Sequence, residues 1–149
     1  PMEPLIRMFN KNKIRYLLIG GQAVRLEGMP RFTMDWDLYI PGKDAENLKK
    51  INTLLMDELD GILLPLGPKG ENFVQTFQTK WGIIQFHLAG PGLPAFDKAE
   101  AGAVCHATEQ GVKVRCLSIK DLLKSKEAAN RPQDQDDIYY LRRKLKGKS

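Results

Sequence analysis

The feature that most constrains this chain is the run IRYLLIGG at residues 14–21, an uninterrupted β-rich apolar stretch that stops on two glycines. It is far shorter than the ~20 apolar residues a bilayer span requires and reads as a buried core strand. Before it, Leu5, Ile6, Met8 and Phe9 lie close enough to line one side of a short helix, and the polar NKNK then breaks the pattern. After it, GQAVRLEG holds helix formers and ends on Gly28, the residue type that suits a helix's C′ position. The order helix, strand, helix is compatible with an α/β fold.

The remainder of the chain continues in the same style. DWDLYI reads as a second strand, stopped by Pro41 and Gly42, and Leu48, Ile51, Leu54, Leu55 and Leu59 then recur at helical spacing across residues 43–59. FVQTFQT and GIIQFHLA pair as a hairpin around a tight turn at Lys80 and Trp81. GPGLPAFDKAEAG reads as an irregular connection, and AVCHAT with VKVRCL as a second hairpin of edge strands. Two helices follow. The first opens at Ser118 with Asp121 three residues on, close to a capping box, and the second carries acids in its first turn and bases in its last. With 149 residues and no linker, repeat or low-complexity tract, the chain reads as a single domain over 1–149.

Composition narrows the function classes. No apolar run is long enough for a membrane, and the two cysteines, Cys105 and Cys116, read as reduced thiols, so the expected location is cytoplasmic. A net charge of +5 gathers partly in the tail LRRKLKGKS, which permits a polyanionic partner without requiring one. A plain nucleic-acid-binding domain ranks last, because these bases lack interleaved aromatics. Trp36 reads as core, and Tyr139 and Tyr140 as a partly buried helix face.

Chemistry concentrates at one place. On a strand, residues two apart share a face, so Asp35 and Asp37 project together while Trp36 and Leu38 face away. Two bare carboxylates repel, and a divalent cation between them removes the conflict; Mg²⁺ binds through one or two carboxylates plus phosphate oxygens. Gly20 and Gly21 supply a complementary half, since a strand that turns into a helix presents unpaired backbone N–H groups to phosphate oxygens.

The combination is more specific than its parts. An apolar residue, a glycine pair, thirteen residues, then Asp, apolar, Asp, apolar (Ile19, Gly20, Gly21, Asp35, Trp36, Asp37, Leu38) resembles the signature of the nucleotidyltransferase superfamily that includes DNA polymerase beta. The stretch GGQAVRLEGMPRFTMDWDLYI is most similar to its small bacterial and archaeal members, among them abortive-infection toxins, where an Arg-x-Thr precedes the acids; Arg31 and Thr33 occupy those places. A second resemblance lies in a lysine, an arginine, Asp-x-x-Asp and a leucine, matched by Lys126, Arg131, Asp134, Asp137 and Leu141.

The resemblance implies a mixed, twisted sheet with helices mainly on one face and two C-terminal helices closing a cleft. It implies a transferase that moves NMP from an NTP substrate to a hydroxyl on a protein, tRNA or small molecule. Asp35 and Asp37 would be catalytic and hold Mg²⁺ (or Mn²⁺); Gly20, Gly21, Arg31, Thr33 and Lys126 would bind nucleotide, with Arg25 a weaker candidate. A third carboxylate is normal on a later strand. Here alternation along GIIQFHLAG places Gln85 or His87 at that position, Gln85 offering a neutral oxygen to the metal and His87 a proton acceptor. Asp97, in the next connection, is a lower-ranked substitute. The alternative expectation is a catalytically degenerate nucleotide-binding or interaction module of a toxin-antitoxin system, completed by a partner protein.

Overall fold

A computed structural model describes residues 2–30, 35–59 and 61–147. Helix α1 (Glu3–Lys11) leads into strand β1 (Leu17–Ile19), which passes without a loop into α2 (Gly20–Leu26). Strand β2 (Trp36–Tyr39), helix α3 (Ala45–Asp57) and the hairpin β3 (Val74–Thr79) and β4 (Gly82–His87) follow. Next come α4 (Phe96–Ala101), the hairpin β5 (Val104–Ala107) and β6 (Lys113–Cys116), then α5 (Ile119–Ala129), a 3₁₀ turn (Pro132–Asp134) and α6 (Gln135–Leu145). Among the described residues, no helix is long and apolar enough to cross a membrane.

The strands form one mixed sheet in the order β3-β4-β2-β1-β6-β5. β1 runs antiparallel to β2 and parallel to β6, while β2 runs parallel to β4. All three residues of β1 are buried, as the apolar run required. Where strands alternate, the two faces differ sharply. Trp36, Leu38, Ile84 and Phe86 are buried on the core face, where Phe86 meets Phe9 of α1 and Phe77 of β3 at centroid distances of 6.3 and 5.8 Å. Asp37, Gln85 and His87 take the opposite, half-buried face.

Caps and turns set the ends. Asp44 caps α3 by accepting from the Asn47 N–H at 3.0 Å, and Ser118 caps α5 by accepting from the Asp121 N–H at 3.2 Å. Gly28, at φ +112°, lies just past α2 as the C′ reading anticipated.

Three expectations need correction. The connection at 90–102 is not wholly irregular: residues 96–101 form α4, because Phe96 and Ala99 are buried, with Phe96 edge-on to Tyr39 at 5.2 Å. Of the second hairpin only β5 is an edge strand; β6 lies inside the sheet, paired with β1 through Leu18 and Cys116. Tyr140 is half-buried and donates to the Glu27 carbonyl at 3.0 Å, but Tyr139 is exposed beneath the Arg143 guanidinium.

Candidate active site

The antiparallel pairing of β1 with β2 sets Ile19 opposite Asp37, so the first residue of α2, Gly20, lies against the Asp37 side chain. Gly20 adopts φ +71°, and a Cβ there would stand 2.5 Å from Asp37 Oδ2. Only glycine satisfies both conditions, since the left-handed region disfavours a side chain and the carboxylate occupies its space. The α2 start has no side-chain cap. The glycine after the apolar run is thus fixed by the acid of β2, far downstream in the sequence.

Parallel pairing of β2 with β4 sets Gln85 opposite Asp37 and His87 opposite Tyr39. His87 reaches back along the face, and its Nε2–H donates to Asp37 Oδ1 at 2.8 Å. Both candidates for the third position therefore face the acid pair, Gln85 by register and His87 by a hydrogen bond. The lower-ranked substitute does not: Asp97 is on α4, largely exposed, and ion-paired with Arg15 at 2.5 Å, away from the site. There Arg15 also binds Asp44 and Glu100, contacts led by Glu100 that hold its guanidinium charged, and so ties α3 and α4 to the strand entry.

Helix α5 supplies a second wall. Leu122, Ser125, Lys126 and Ala129, spaced along one helical face, line the same cavity as Gly20, Gly21, Asp35, Asp37, Gln85 and His87. The cavity holds about 760 Å³, within the size range of small-molecule sites. Lys126 Nζ ion-pairs with Asp134 at 3.3 Å and Asp137 at 3.1 Å, both carboxylates being almost fully buried. Arg131 adds a two-pronged contact to Asp134, through Nε and Nη2 at 2.9 Å each. Burial alone would raise the Asp134 carboxyl; the Arg131 hydrogen bonds and the Lys126 charge outweigh it and hold it at about 2. Asp37 also favours the charged Arg131, so the helical cluster and the strand acids share one field.

Lys126 is therefore more than a surface base: it lines the cavity while its ammonium neutralises two buried acids. The second motif in the sequence is this cluster, closed by the buried Leu141. Arg25 is engaged with Gln22 at 3.1 Å and does not line the cavity. Arg31 and Thr33 lie outside the described residues. Sequence reading missed Phe73 and Leu93 as cavity walls; Phe73 is 42 % exposed just before β3, an apolar ring left in solvent at a cavity edge.

The donor chemistry fits a hard divalent cation. Asp35 and Asp37 offer carboxylate oxygens, Gln85 a neutral amide oxygen, and the glycine at position 20 keeps the space beside Asp37 free of a side chain. No group of three or more His, Cys, Asp and Glu side chains in metal-holding arrangement occurs among the described residues, so the acid pair would depend on ligand oxygens to complete a coordination shell.

Solved structures agree with this architecture. The lincosamide antibiotic adenylyltransferase LnuA, in its lincomycin-bound form, matches over 93 % of this chain and 92 % of its own at TM-score 0.56 and 18 % identity. ANT(2")-Ia, solved in complex with adenylyl-2"-tobramycin, matches over 97 % of this chain and 88 % of its own at TM-score 0.58 and 18 % identity. The chain has the nucleotidyltransferase fold. A nucleotidyltransferase-like protein from Paracoccidioides brasiliensis shows it as well, over 94 % of this chain and 72 % of that one, at TM-score 0.59 and 20 % identity. No protein-family model matches the sequence, and no curated protein matches it. At 18–20 % identity the likeness is one of fold.

Proposed function

We propose that this protein is a divalent-cation-dependent nucleotidyltransferase that moves NMP from an NTP to an acceptor hydroxyl. The observation that carries the reading is the close packing of Gly20 against Asp37, in a cavity that also holds Asp35, Gln85, His87 and Lys126. Asp35 and Asp37, with the Gln85 amide oxygen, would hold Mg²⁺ (or Mn²⁺), which when bound neutralises triphosphate charge. Gly20 and Gly21 let phosphate oxygens approach the backbone, and Lys126 and Arg131 face them across the cavity. The acceptor oxygen bonds to the α-phosphorus, the bond from that phosphorus to the bridging oxygen breaks, and pyrophosphate departs with the electron pair. His87, whose Nε2–H is held by Asp37, has Nδ1 as its basic atom and takes the hydroxyl proton there. Positioning and charge neutralisation supply most of the acceleration in such a reaction.

LnuA, an adenylyltransferase by name, and ANT(2")-Ia, solved with adenylyl-2"-tobramycin, support this reading. The sequence resemblance to abortive-infection toxins supports a toxin role in the cytoplasm, which growth arrest on induced expression, relieved by Asp35→Asn, would test.

The first experiment is calorimetric titration with each of the four NTPs, with and without Mg²⁺, on wild type and Asp35→Asn. Mg²⁺-dependent binding abolished by the substitution is expected. Binding that ignores both the metal and the substitution would instead assign a degenerate nucleotide-binding module, and no binding by wild type would sink the enzyme reading.

A further inference from the structure

A second cavity, of about 470 Å³, lies beside the first and is lined by Lys98, Lys120 and Lys124 together with Ser118 and Asp121. Its charge is unusual for its place. Lys120 and Lys124 are four residues apart on α5, stacked as like charges on one helical face, an arrangement that costs stability. Lys120 moreover sits in the first turn, where the helix dipole favours an acid. Lys98, from the last turn of α4, reaches the same space. Among the described residues none of the three has an ion-pair or hydrogen-bond partner, whereas Lys50, Lys80, Lys126 and Lys144 each have one. Asp121 is the one acid in the lining, so three like charges converge on a concave surface with a single opposing charge.

The two cavities are separated by one short loop. Gly90, Pro91 and Leu93 line the first, and Gly92, Leu93 and Pro94 the second. The loop is pressed onto α5: Gly92 adopts φ +70°, and a Cβ there would stand 2.6 Å from the Lys124 carbonyl oxygen and 2.8 Å from Ala128 Cβ. Helix α5 consequently shows one face, through Leu122, Ser125 and Lys126, to the acid pair and another, through Lys120 and Lys124, to the basic cavity. A molecule crossing residues 90–94 would meet both.

We propose that the cavity of Lys98, Lys120 and Lys124 binds a phosphate group of the acceptor whose hydroxyl is presented at Asp35 and Asp37. Anion binding by the three lysines stands on its own; attaching that anion to the acceptor rests on the nucleotidyl-transfer reading above. The three lysines are exposed, so their mutual repulsion is screened and small, and phosphate oxygens that enter relieve what remains of it while gaining three donors. The first cavity, in contrast, is lined by Asp35, Asp37, Asp134 and Asp137 against Lys126 and Arg131, a net negative charge that disfavours a second anion until a metal is bound.

The test measures binding of tripolyphosphate and of fluorescent decathymidylate in EDTA, where the acid pair stays uncompensated. Wild type is compared with the triple variant Lys98→Gln, Lys120→Gln, Lys124→Gln. The triple variant is expected to lose at least tenfold in tripolyphosphate affinity while Mg²⁺-dependent ATP binding changes less than twofold. If decathymidylate binds as well, with a log-log salt slope that falls by about 2 in the variant, the phosphates are those of a polynucleotide. If only tripolyphosphate binds, they belong to a small phosphorylated acceptor. Wild type that binds neither probe, or a variant that binds both as wild type does, overturns the proposal. Thermal melting guards against misfolding: without anion the variant should melt at or above wild type, and tripolyphosphate should raise the melting point of wild type alone. Equal increments in the two proteins would also overturn it. Asp35→Asn separates the two readings, since it should abolish Mg²⁺-dependent ATP binding and leave lysine-dependent anion binding in EDTA intact.

Discussion

Replacing Gly20 by alanine isolates the contact on which the candidate site depends. Residue 20 adopts φ +71°, and left-handed backbone costs an L-residue roughly 1–2 kcal/mol. The new Cβ also stands 2.5 Å from Asp37 Oδ2, so the carboxylate must shift, and its 2.8 Å hydrogen bond with His87 through Oδ1 is expected to be lost with it, a further loss of about 1 kcal/mol. The sum, about 2–3 kcal/mol, corresponds to a fall in melting temperature of roughly 4–12 °C for a domain of this size. Urea unfolding followed by circular dichroism gives the stability, and calorimetry with Mg²⁺ and ATP gives the site. Both are expected to suffer, with nucleotide binding weakened well beyond what the fraction unfolded explains. A Gly20→Ala protein with wild-type stability and wild-type binding would refute the argument, because neither the backbone strain nor the displaced carboxylate would then exist.

Lys126→Met should destabilise the protein by about 3 kcal/mol in urea unfolding, since it strips a cation from two buried carboxylates while Arg131 still holds one of them; unchanged stability would show the cluster is solvated. Acid should expose the same cluster: the Asp134 carboxyl is held at about 2 against an ordinary 3.8, a depressed acid whose stabilisation is complete above pH 4 and lost as pH falls towards 2. That contribution is about 2 kcal/mol, and Asp134→Asn, less stable at pH 7, should show a flatter stability profile between pH 4 and 2. Thiol labelling of the native protein should modify one cysteine quickly, because Cys105 is exposed, whereas burial, with Glu27 and Cys105 adding to it, pushes the Cys116 thiol up to about 12. Two equivalents reacting at one rate would contradict the burial of Cys116 inside the sheet.

The architecture around the site was legible because its signals are local. An apolar run ended by glycines, the alternation of DWDLYI and GIIQFHLA, and the cap at Ser118 each act over a few residues, and each element formed where those residues stand. Alternation alone also placed Gln85 and His87 on the face of Asp37. It could not decide between them, since that depends on the register of β2 against β4, residues some fifty positions apart. Helix α4 escaped notice because its six residues carry too little periodicity, and burial of Phe96 against Tyr39 supplies what propensity does not.

The sequence by itself determined which groups stand out as candidates for chemistry: a glycine pair, an acid pair, and a lysine ahead of Asp-x-x-Asp. Only the tertiary structure decided what each meets. It set Gly20 under Asp37, turned Lys126 inward onto Asp134 and Asp137, sent Asp97 away to Arg15, and gathered Lys98, Lys120 and Lys124 around one space. The reason is range. Periodicity and caps are written in neighbouring residues, whereas charge pairing and strand register are settled by segments that come together only when the core closes.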